Sequence, residues 1–255
     1  MIETFVPDGL PVEAAWKRIT HLGIGAHQDD LEFMAFHGII AGYEKRSFGG
    51  VICTDGAGGG DVAVRRQEQN RAAEIGRYGV MIQLGHPSRD LSGLREELRE
   101  ILGVTRPQVV YTHNPADKHP THIAVLHAAF DAMRTLPRDQ RPARVIGCEV
   151  WRDLDWLPDE DKIVMDVTGH DELGAALNAA FTSQIAGGKR YDLAVEGRRR
   201  ANATFLESHA TDKAASVIFG IDLTPVVLDE NRDIVAYISG FIEKFRADVT
   251  AKLKR

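Results

Sequence analysis

A histidine and two adjacent acids directly follow an apolar run near the N-terminus. In "GIGAHQDDLEF" (residues 23–33) the run from Leu22 to Ala26 leads into His27, Asp29 and Asp30. Imidazole and carboxylate groups are good ligands for zinc and related metals, and a catalytic metal site typically uses three protein ligands and leaves a position for water. The stretch therefore indicates either a metal site with a base beside it or a polar loop whose acids cap the next helix.

Two more histidines stand close together almost a hundred residues later. They are His119 and His122 in "HPTH", where the proline would open a helix and place both imidazoles on one face. His122 could join His27 and Asp30 as the third metal ligand. Asp29 could then act as a general base, and His119 as an acid or as a donor to a developing oxyanion. The alternative is a helix start with incidental histidines.

The elements that must position these groups alternate in a regular way. Short apolar runs predict strands at 21–26, 49–54, 80–84, 108–113, 143–151 and 162–167. Amphipathic segments predict helices at 31–46, 64–79, 92–105, from about 119, at 172–186, at 189–206 and in the last segment of the chain. This alternation is typical of βαβ units, so we predict an α/β fold with a mainly parallel sheet, and one domain over residues 1–255.

Polar clusters follow three of the predicted strands. They are the His27 to Asp30 turn, Asp55 with its glycine-rich loop, and the segment from Asn114 to His122. Because ligands of open parallel sheets bind outside the carboxyl ends of the strands, we expect these clusters to share one rim, with Asp55 and Asn114 as candidates for substrate binding. The loop "TDGAGGGD" matches neither nucleotide-binding glycine motif, and we interpret it as a rim loop that approaches a ligand closely.

The composition of the chain disfavours some classes of binding partner. The net charge of −6 disfavours nucleic acid, and no apolar run is long enough to span a bilayer. The N-terminus does not read as a signal peptide, and the two distant cysteines are interpreted as reduced thiols, so we predict a cytoplasmic protein. Trp151 and Trp156 are interpreted as core. "GRRRA" (197–201) is either a solvated helix face or a binding site for an anionic substrate group. The apolar last helix packs on the core or supports a homo-oligomer.

Four segments of the sequence resemble the LmbE/PIG-L family of metal-dependent N-deacetylases, mainly over residues 20–135. The family motif AHPDDE is similar to Ala26–Leu31, TDG with glycines to Thr54–Gly58, and HPDH to His119–His122. The RxxE motif, followed by small residues and a glycine, is similar to Arg65, Glu68, Ala72, Ala73 and Gly76. The resemblance implies a Rossmann-like fold, flanked by helices on both faces, that hydrolyses an N-acyl group.

The resemblance also implies roles for individual residues. It makes His27, Asp30 and His122 the metal ligands. It makes Asp29 the base and His119 the catalytic imidazole. It further implies that Arg65 contacts the substrate. Three residues depart from the family pattern: Gln28 for proline, Leu31 for glutamate and Thr121 for aspartate. We expect Gln28 to loosen its loop and Glu32 to compensate partly for Leu31.

We therefore predict a zinc-dependent hydrolase that removes an acyl group, chiefly acetyl, from an amino sugar such as an N-acetylglucosamine derivative. Two nitrogens and one oxygen suit Zn²⁺, and Fe²⁺, Co²⁺ or Ni²⁺ would accept the same ligands. Two alternatives stay open. One is hydrolysis of another amide, such as a thiol conjugate. The other is a sugar- or nucleotide-binding module without turnover.

Overall fold

The apolar runs of the sequence form the strands of one sheet. We describe residues 2–254 from a computed structural model. Within that range the strands are β1 (Glu3–Phe5), β2 (His21–Gly25), β3 (Phe48–Thr54), β4 (Val80–His86), β5 (Val109–His113), β6 (Arg144–Cys148), β7 (Lys162–Asp166) and β8 (Val217–Asp222). The six predicted strands are present, some of them a few residues shorter or longer than expected.

Helices connect most of these strands. In the described part of the chain they are α1 (Val12–Lys17), α2 (Asp30–Met34), α3 (Phe36–Gly42), α4 (Val62–Ile75), α5 (Leu94–Thr105), α6 (Pro120–Thr135), α7 (Asp171–Ala179), α8 (Thr182–Ala186), α9 (Tyr191–Phe205), α10 (Thr224–Leu228) and α11 (Ile234–Leu253). Three short 3₁₀ segments complete the connections.

The strand order places the two histidine-bearing loops side by side. The sheet runs β1-β4-β3-β2-β5-β6-β8-β7. Neighbours from β4 to β6 are parallel, whereas β1, β8 and β7 pair antiparallel. The chain builds outward from β2 to β3 and β4, and then returns to place β5 on the other side of β2. Ligands bind at such a reversal, so the loops after β2 and β5 face one crevice.

Alternating side chains bury both faces of the sheet. Leu22 and Ile24 point into an apolar cluster that α5 and α6 cover, and Ile52 points into a cluster on the other face, against α2, α3 and α4. All of these side chains are fully buried. The predicted fold class, a mainly parallel sheet with helices on both faces, is confirmed.

Some predicted boundaries were wrong. The helix expected over 31–46 is broken at Ala35, whose backbone leaves the helical region, and it ends at Gly42. The helix expected over 172–186 is divided between α7 and α8. The strands β1 and β8 and the helices α1 and α10 were not predicted. β1, α1 and α10 give too few residues for a period to show, whereas β8 is as long as strands that were predicted.

A bidentate ion pair fastens the N-terminal segment to the body. Arg18 donates hydrogen bonds of 2.7 and 2.9 Å to the two carboxylate oxygens of Asp8, and a third of 2.7 Å to the carbonyl of Gly79. The hydrogen bonds from Arg18 lower the pKa of Asp8 from 3.8 to about 2. Through its hydrogen bond to Gly79, Arg18 joins the N-terminal segment to the start of β4.

We expect the stabilisation from Asp8 to be lost in acid. Because the folded-state pKa lies below the unfolded value, the contribution is present above about pH 4 and disappears as the pH falls through about 2. The free energy of unfolding of Asp8→Asn should be lower than that of wild type at pH 5, with the difference shrinking toward pH 2. Urea titrations at pH 5, 3.5 and 2.5 measure it, and a difference independent of pH would contradict the assignment.

The last helix exposes an apolar stripe. Five apolar side chains of α11 are exposed: Val235, Ile242, Phe245, Val249 and Leu253. The homo-oligomer, the cytoplasmic location and the single domain stay predictions. None of the described helices has both the length and the apolar character to cross a membrane.

Candidate active site

Three side chains from two neighbouring strand ends converge at the predicted rim. His27 follows β2, Asp30 opens α2, and His122 lies in the first turn of α6. Nδ1 of His27 lies 3.2 Å from Nε2 of His122. Oδ2 of Asp30 lies 3.5 Å from the former nitrogen, and Oδ1 lies 3.4 Å from the latter. The three predicted ligand residues thus form a triangle in which each imidazole faces one oxygen of the carboxylate.

The size of this triangle fits a metal ion. Metal–ligand bonds of 2.0–2.1 Å at tetrahedral angles place neighbouring ligand atoms about 3.3 Å apart. The observed separations of 3.2 to 3.5 Å, with each imidazole measured to the Asp30 oxygen that it faces, are close to that value. The same three residues form one of two groups in the described chain whose donor atoms could hold a metal ion; the other is His113, Asp117 and His122.

The charges in the triangle favour an ionised carboxylate. Burial alone would raise the pKa of Asp30, but His122, His113 and His27 outweigh it and hold the pKa well below its ordinary range. Burial would lower the pKa of His122, and Asp30 and Asp117 reverse this and raise it. The acid therefore carries the negative charge that a cation needs.

Asp29 is held in an unusual conformation beside the triangle. Its φ of 94° lies in the left-handed region that few residues other than glycine adopt. Its N–H donates to Oε1 of Gln69 at 3.1 Å, and Nη2 of Arg65 donates to its carboxylate at 3.1 Å. Burial raises the pKa of Asp29 to about 7, with Arg65 opposing the rise. The turn thus directs one carboxylate to the cavity and the next, Asp30, to the triangle.

His119 caps α6 with its own imidazole. Nδ1 accepts the N–H of Thr121 at 3.3 Å, which leaves Nε2 to carry the ring proton. The ring lies 4.7 Å from that of His122 and 4.8 Å from that of His27, measured between centroids. Burial lowers the pKa of His119, and His122 and His27 lower it further. A neutral imidazole with a free N–H therefore stands next to the triangle.

Asp117 supports His122 from behind. Its Oδ2 lies 3.3 Å from Nδ1 of His122, and its oxygens also accept the backbone N–H groups of His119 at 2.8 Å and Trp151 at 3.2 Å. His113 stacks on the other face of the His122 ring, with centroids 3.8 Å apart. The orientation of this imidazole is therefore fixed by a carboxylate and by a second ring.

We expect Asp117→Asn to weaken metal binding about 10- to 100-fold, because the amide no longer attracts the ring proton of His122. Competition with a chelator of known affinity measures the change. Asp131→Asn, an exposed position on α6, is the matched control. Equal metal affinities of the two variants would show that Asp117 does not support the site.

At two of the three positions that depart from the family pattern, Gln28 and Leu31, the side chains have surroundings that the sequence did not indicate. Gln28 is fully buried, and its amide donates to Oε1 of Gln83 at 3.2 Å, so the expected loosening of the loop was wrong. Leu31 lies in the core. Glu32 accepts hydrogen bonds from Tyr78 and Gln69 at 2.6 and 2.9 Å and is fully buried, so it faces away from the cavity.

The three residues predicted to bind substrate lie in different surroundings. Arg65 is 3% exposed and lines the cavity in front of the triangle. Asp55 accepts the N–H of Ala57 at 3.0 Å. The amide of Asn114 donates to the carbonyl of Cys148 at 3.0 Å. Of the three, only Arg65 is among the described residues that line the cavity.

The cavity has a volume of about 510 Å³ and a wall that the sequence analysis missed. The floor consists of His27, Asp29, Asp30 and His119, and the glycine loop closes one side. The other wall residues include Phe33, Trp151, Tyr191, Ala194, Val195 and Arg198. Trp151 is 41% exposed, so its interpretation as core was wrong. The helical spacing of Tyr191, Ala194, Val195 and Arg198 can be seen in the sequence. The sequence does not show that this face of the helix lines the cavity.

The RxxE motif also holds the far side of the cavity. Glu68 accepts the N–H of Ser183 at 2.6 Å, the hydroxyl of Ser183 at 2.7 Å and the hydroxyl of Thr182 at 3.1 Å. Gln184 then donates from its amide to the carbonyl of Gly59 at 2.8 Å and lines the cavity. The segment around α8 is thereby docked against α4 and the glycine loop.

Known proteins share both the motifs and the fold. Residues 22–133 match the family model described as PIG-L, GlcNAc-PI de-N-acetylase. The uncharacterized deacetylase YaiS of Escherichia coli strain K12 is 28% identical over 144 residues, which are 52% of this chain and 78% of YaiS. The sequence likeness therefore covers the half of the chain that carries the triangle.

Two solved structures show the fold over a longer part. GalB, the 4-carboxy-2-hydroxymuconate hydratase of Pseudomonas putida KT2440, has a TM-score of 0.64 at 17% identity, covering 81% of this chain and 97% of GalB. The N,N'-diacetylchitobiose deacetylase of Pyrococcus horikoshii has a TM-score of 0.60 at 17% identity, covering 82% and 87%. Because these two carry out different reactions on one fold, the activity must be argued from the site. The motifs and the family match agree: residues 22–133, which carry the triangle, are similar to the family described as PIG-L, GlcNAc-PI de-N-acetylase.

Proposed function

We propose that this chain is a metal-dependent hydrolase that removes an N-acyl group, chiefly acetyl, from an amino sugar such as an N-acetylglucosamine derivative. One observation carries the proposal. The imidazoles of His27 and His122 lie 3.2 Å apart, and each lies within 3.5 Å of one oxygen of Asp30; His27 and Asp30 line a cavity together with a second carboxylate, Asp29. This combination of a metal triangle and a free base suits the hydrolysis of an amide.

His27, Asp30 and His122 would hold the metal, with Zn²⁺ as the first choice and Fe²⁺, Co²⁺ or Ni²⁺ as alternatives. The ion supplies Lewis acidity, which polarises an amide carbonyl and makes water a better nucleophile at neutral pH. Asp117 and His113 keep the ring of His122 directed into the triangle.

Asp29 takes the proton from the water that attacks the carbonyl carbon. Its position follows from the turn, because the hydrogen bonds to Gln69 and from Arg65 hold both its backbone and its carboxylate. The left-handed backbone separates its side chain from that of Asp30. The two neighbouring acids can therefore have different roles.

His119 stabilises the charge that develops on the carbonyl oxygen. Its Nδ1 is occupied by the N–H of Thr121, so Nε2 is the donor that remains for the substrate. Protonated Asp29 or His119 then gives a proton to the departing amine, and the chain contains both groups at the cavity floor.

Arg65 is the proposed substrate contact at the base of the cavity, since it lies against Asp29. The predicted roles of Asp55 and Asn114 are less direct. Their side chains bond to nearby backbone groups, so we propose that they shape the rim loops around the substrate.

Acetate release tests the proposal. Purified protein would be incubated with N-acetylglucosamine, with its derivatives and with an N-acetylated thiol conjugate, with and without a chelator. We expect chelator-sensitive release from an amino-sugar derivative. Release only from the thiol conjugate would support the alternative amidase. Thermal stabilisation by a sugar or nucleotide, with no release and no metal requirement, would support a binding module.

A further inference from the structure

One face of α9 lines the cavity from the triangle outward. Tyr191, Ala194, Val195 and Arg198 follow helical spacing, and all four line the cavity. Tyr191 lies at the end near the reacting groups: its ring centroid lies 5.9 Å from that of Trp151, which lies 6.3 Å from that of His119. Seven residues at 1.5 Å each place Arg198 about 10 Å further along the helix. The wall thus runs from the reacting groups to a guanidinium.

Arg198 has no carboxylate partner. Its Nη1 donates to the carbonyl of Val150, and within residues 2–254 no acid forms an ion pair with it. The buried acid nearby, Glu149, is occupied by other donors, the N–H groups of Phe219 at 3.1 Å and Leu154 at 3.3 Å and the amide of Asn202. The next arginine, Arg200, pairs with Glu196 and Asp171 on the outer surface.

The neighbouring guanidinium is also unpaired. Arg199 is 6% exposed, lines the same cavity and donates from Nη2 to the carbonyls of Glu32 at 2.7 Å and Phe33 at 3.3 Å. No described acid lies within ion-pair distance of it, and burial lowers its pKa to about 10. Carbonyl groups and the charge of Glu149 compensate part of the cost of burying this cation. Two guanidinium groups and one acid, Glu149, therefore line this part of the cavity, and burial raises the pKa of Glu149, which favours its neutral form.

We propose that this wall binds an anionic group of the substrate, a phosphate or a carboxylate, with Arg198 as the contact residue. The inference rests on the proposed function, because it specifies the amino sugar as one with a charged substituent on the side away from the scissile amide. A guanidinium offers paired N–H donors to such an anion, and those of Arg198 other than Nη1 have no hydrogen bond within the described chain. Arg199 adds charge behind it without touching the ligand.

Substrate selectivity tests this site. We would compare kcat/KM for N-acetylglucosamine 6-phosphate, for N-acetylmuramic acid and for neutral N-acetylglucosamine. Wild type should prefer at least one anionic substrate, and Arg198→Gln should lower the ratio of anionic to neutral kcat/KM about tenfold or more, mainly through KM. Arg198→Lys should restore part of the ratio, and Arg200→Gln should leave it unchanged. The phosphate and carboxylate arms show which anion the site takes.

A binding measurement separates this inference from the proposed function. Calorimetry on Asp29→Asn would follow glucosamine 6-phosphate, with Arg198→Gln added in a double variant. We expect about tenfold weaker binding in the double variant. Equal binding, or no preference for either anionic substrate in wild type, would overturn the inference. Binding that depends on Arg198 without acetate release by wild type would support the anion site and reject the deacetylase.

Discussion

Asp29→Asn should lose about 10²- to 10⁴-fold in kcat while keeping one metal ion per chain. The amide cannot take a proton from water, but its oxygen can still accept the hydrogen bond from Arg65 that Asp29 accepts at 3.1 Å. Asparagine also tolerates the left-handed backbone that this position adopts, at a φ of 94°. The variant should therefore fold normally, and the loss should lie in the proton transfer. Steady-state kinetics together with metal analysis measure both quantities.

The same measurement on Asp131→Asn, which removes an exposed acid, should show wild-type kinetics. If Asp29→Asn retained more than a tenth of wild-type kcat, Asp29 could not be the base. If Asp29→Asn lost its metal as well as its activity, both Asp29 and Asp30 would contribute to metal binding.

His27→Ala should lose both metal and activity. The variant removes one of three metal ligands. Its loss of metal affinity should exceed the roughly 10- to 100-fold loss that follows from substituting residues that only support the ligands. His27 is the most accessible ligand, with 21% of its side chain exposed against 3% for Asp30 and none for His122, so its removal disturbs the core least. We expect less than a tenth of an equivalent of bound metal and a similar fall in kcat.

His86→Ala is the matched control for this variant. His86 lies at the end of β4 and contacts Glu97 at 2.6 Å, outside the described cavity lining. It should keep a full equivalent of metal. Activity that persists in His27→Ala at wild-type metal content would remove His27 from the ligand set.

The residues of the site could be predicted where the sequence on either side of them predicts a strand end and a helix start. His27, Asp29 and Asp30 follow a strand and precede a helix. The local pattern therefore places them at the carboxyl end of β2, but it does not say that β5 is the neighbouring strand. The proline of "HPTH" starts α6 at the expected residue and brings His122 to the rim. Because the carboxyl ends of parallel strands lie at one edge of the sheet, the loops after β2 and β5 come close together.

The missed parts depend on contacts that no local pattern carries. Glu32 turns into the core because Tyr78, 46 residues away, offers a hydroxyl there. Trp151 is exposed at the cavity because its backbone is held by Asp117. The strand β8 has one antiparallel neighbour on each side, and its pairing with β6 over a long connection could not be inferred from the run "VIFGID".

In the mechanism that we propose, deacetylation requires an ion at His27, Asp30 and His122. The most direct measurement is acetate release from the best amino-sugar substrate by protein that has been stripped with a chelator and then titrated with Zn²⁺. We expect the stripped protein to be inactive and its activity to return in proportion to added metal, reaching its maximum at one equivalent. Full activity of protein shown by elemental analysis to be free of metal would contradict it.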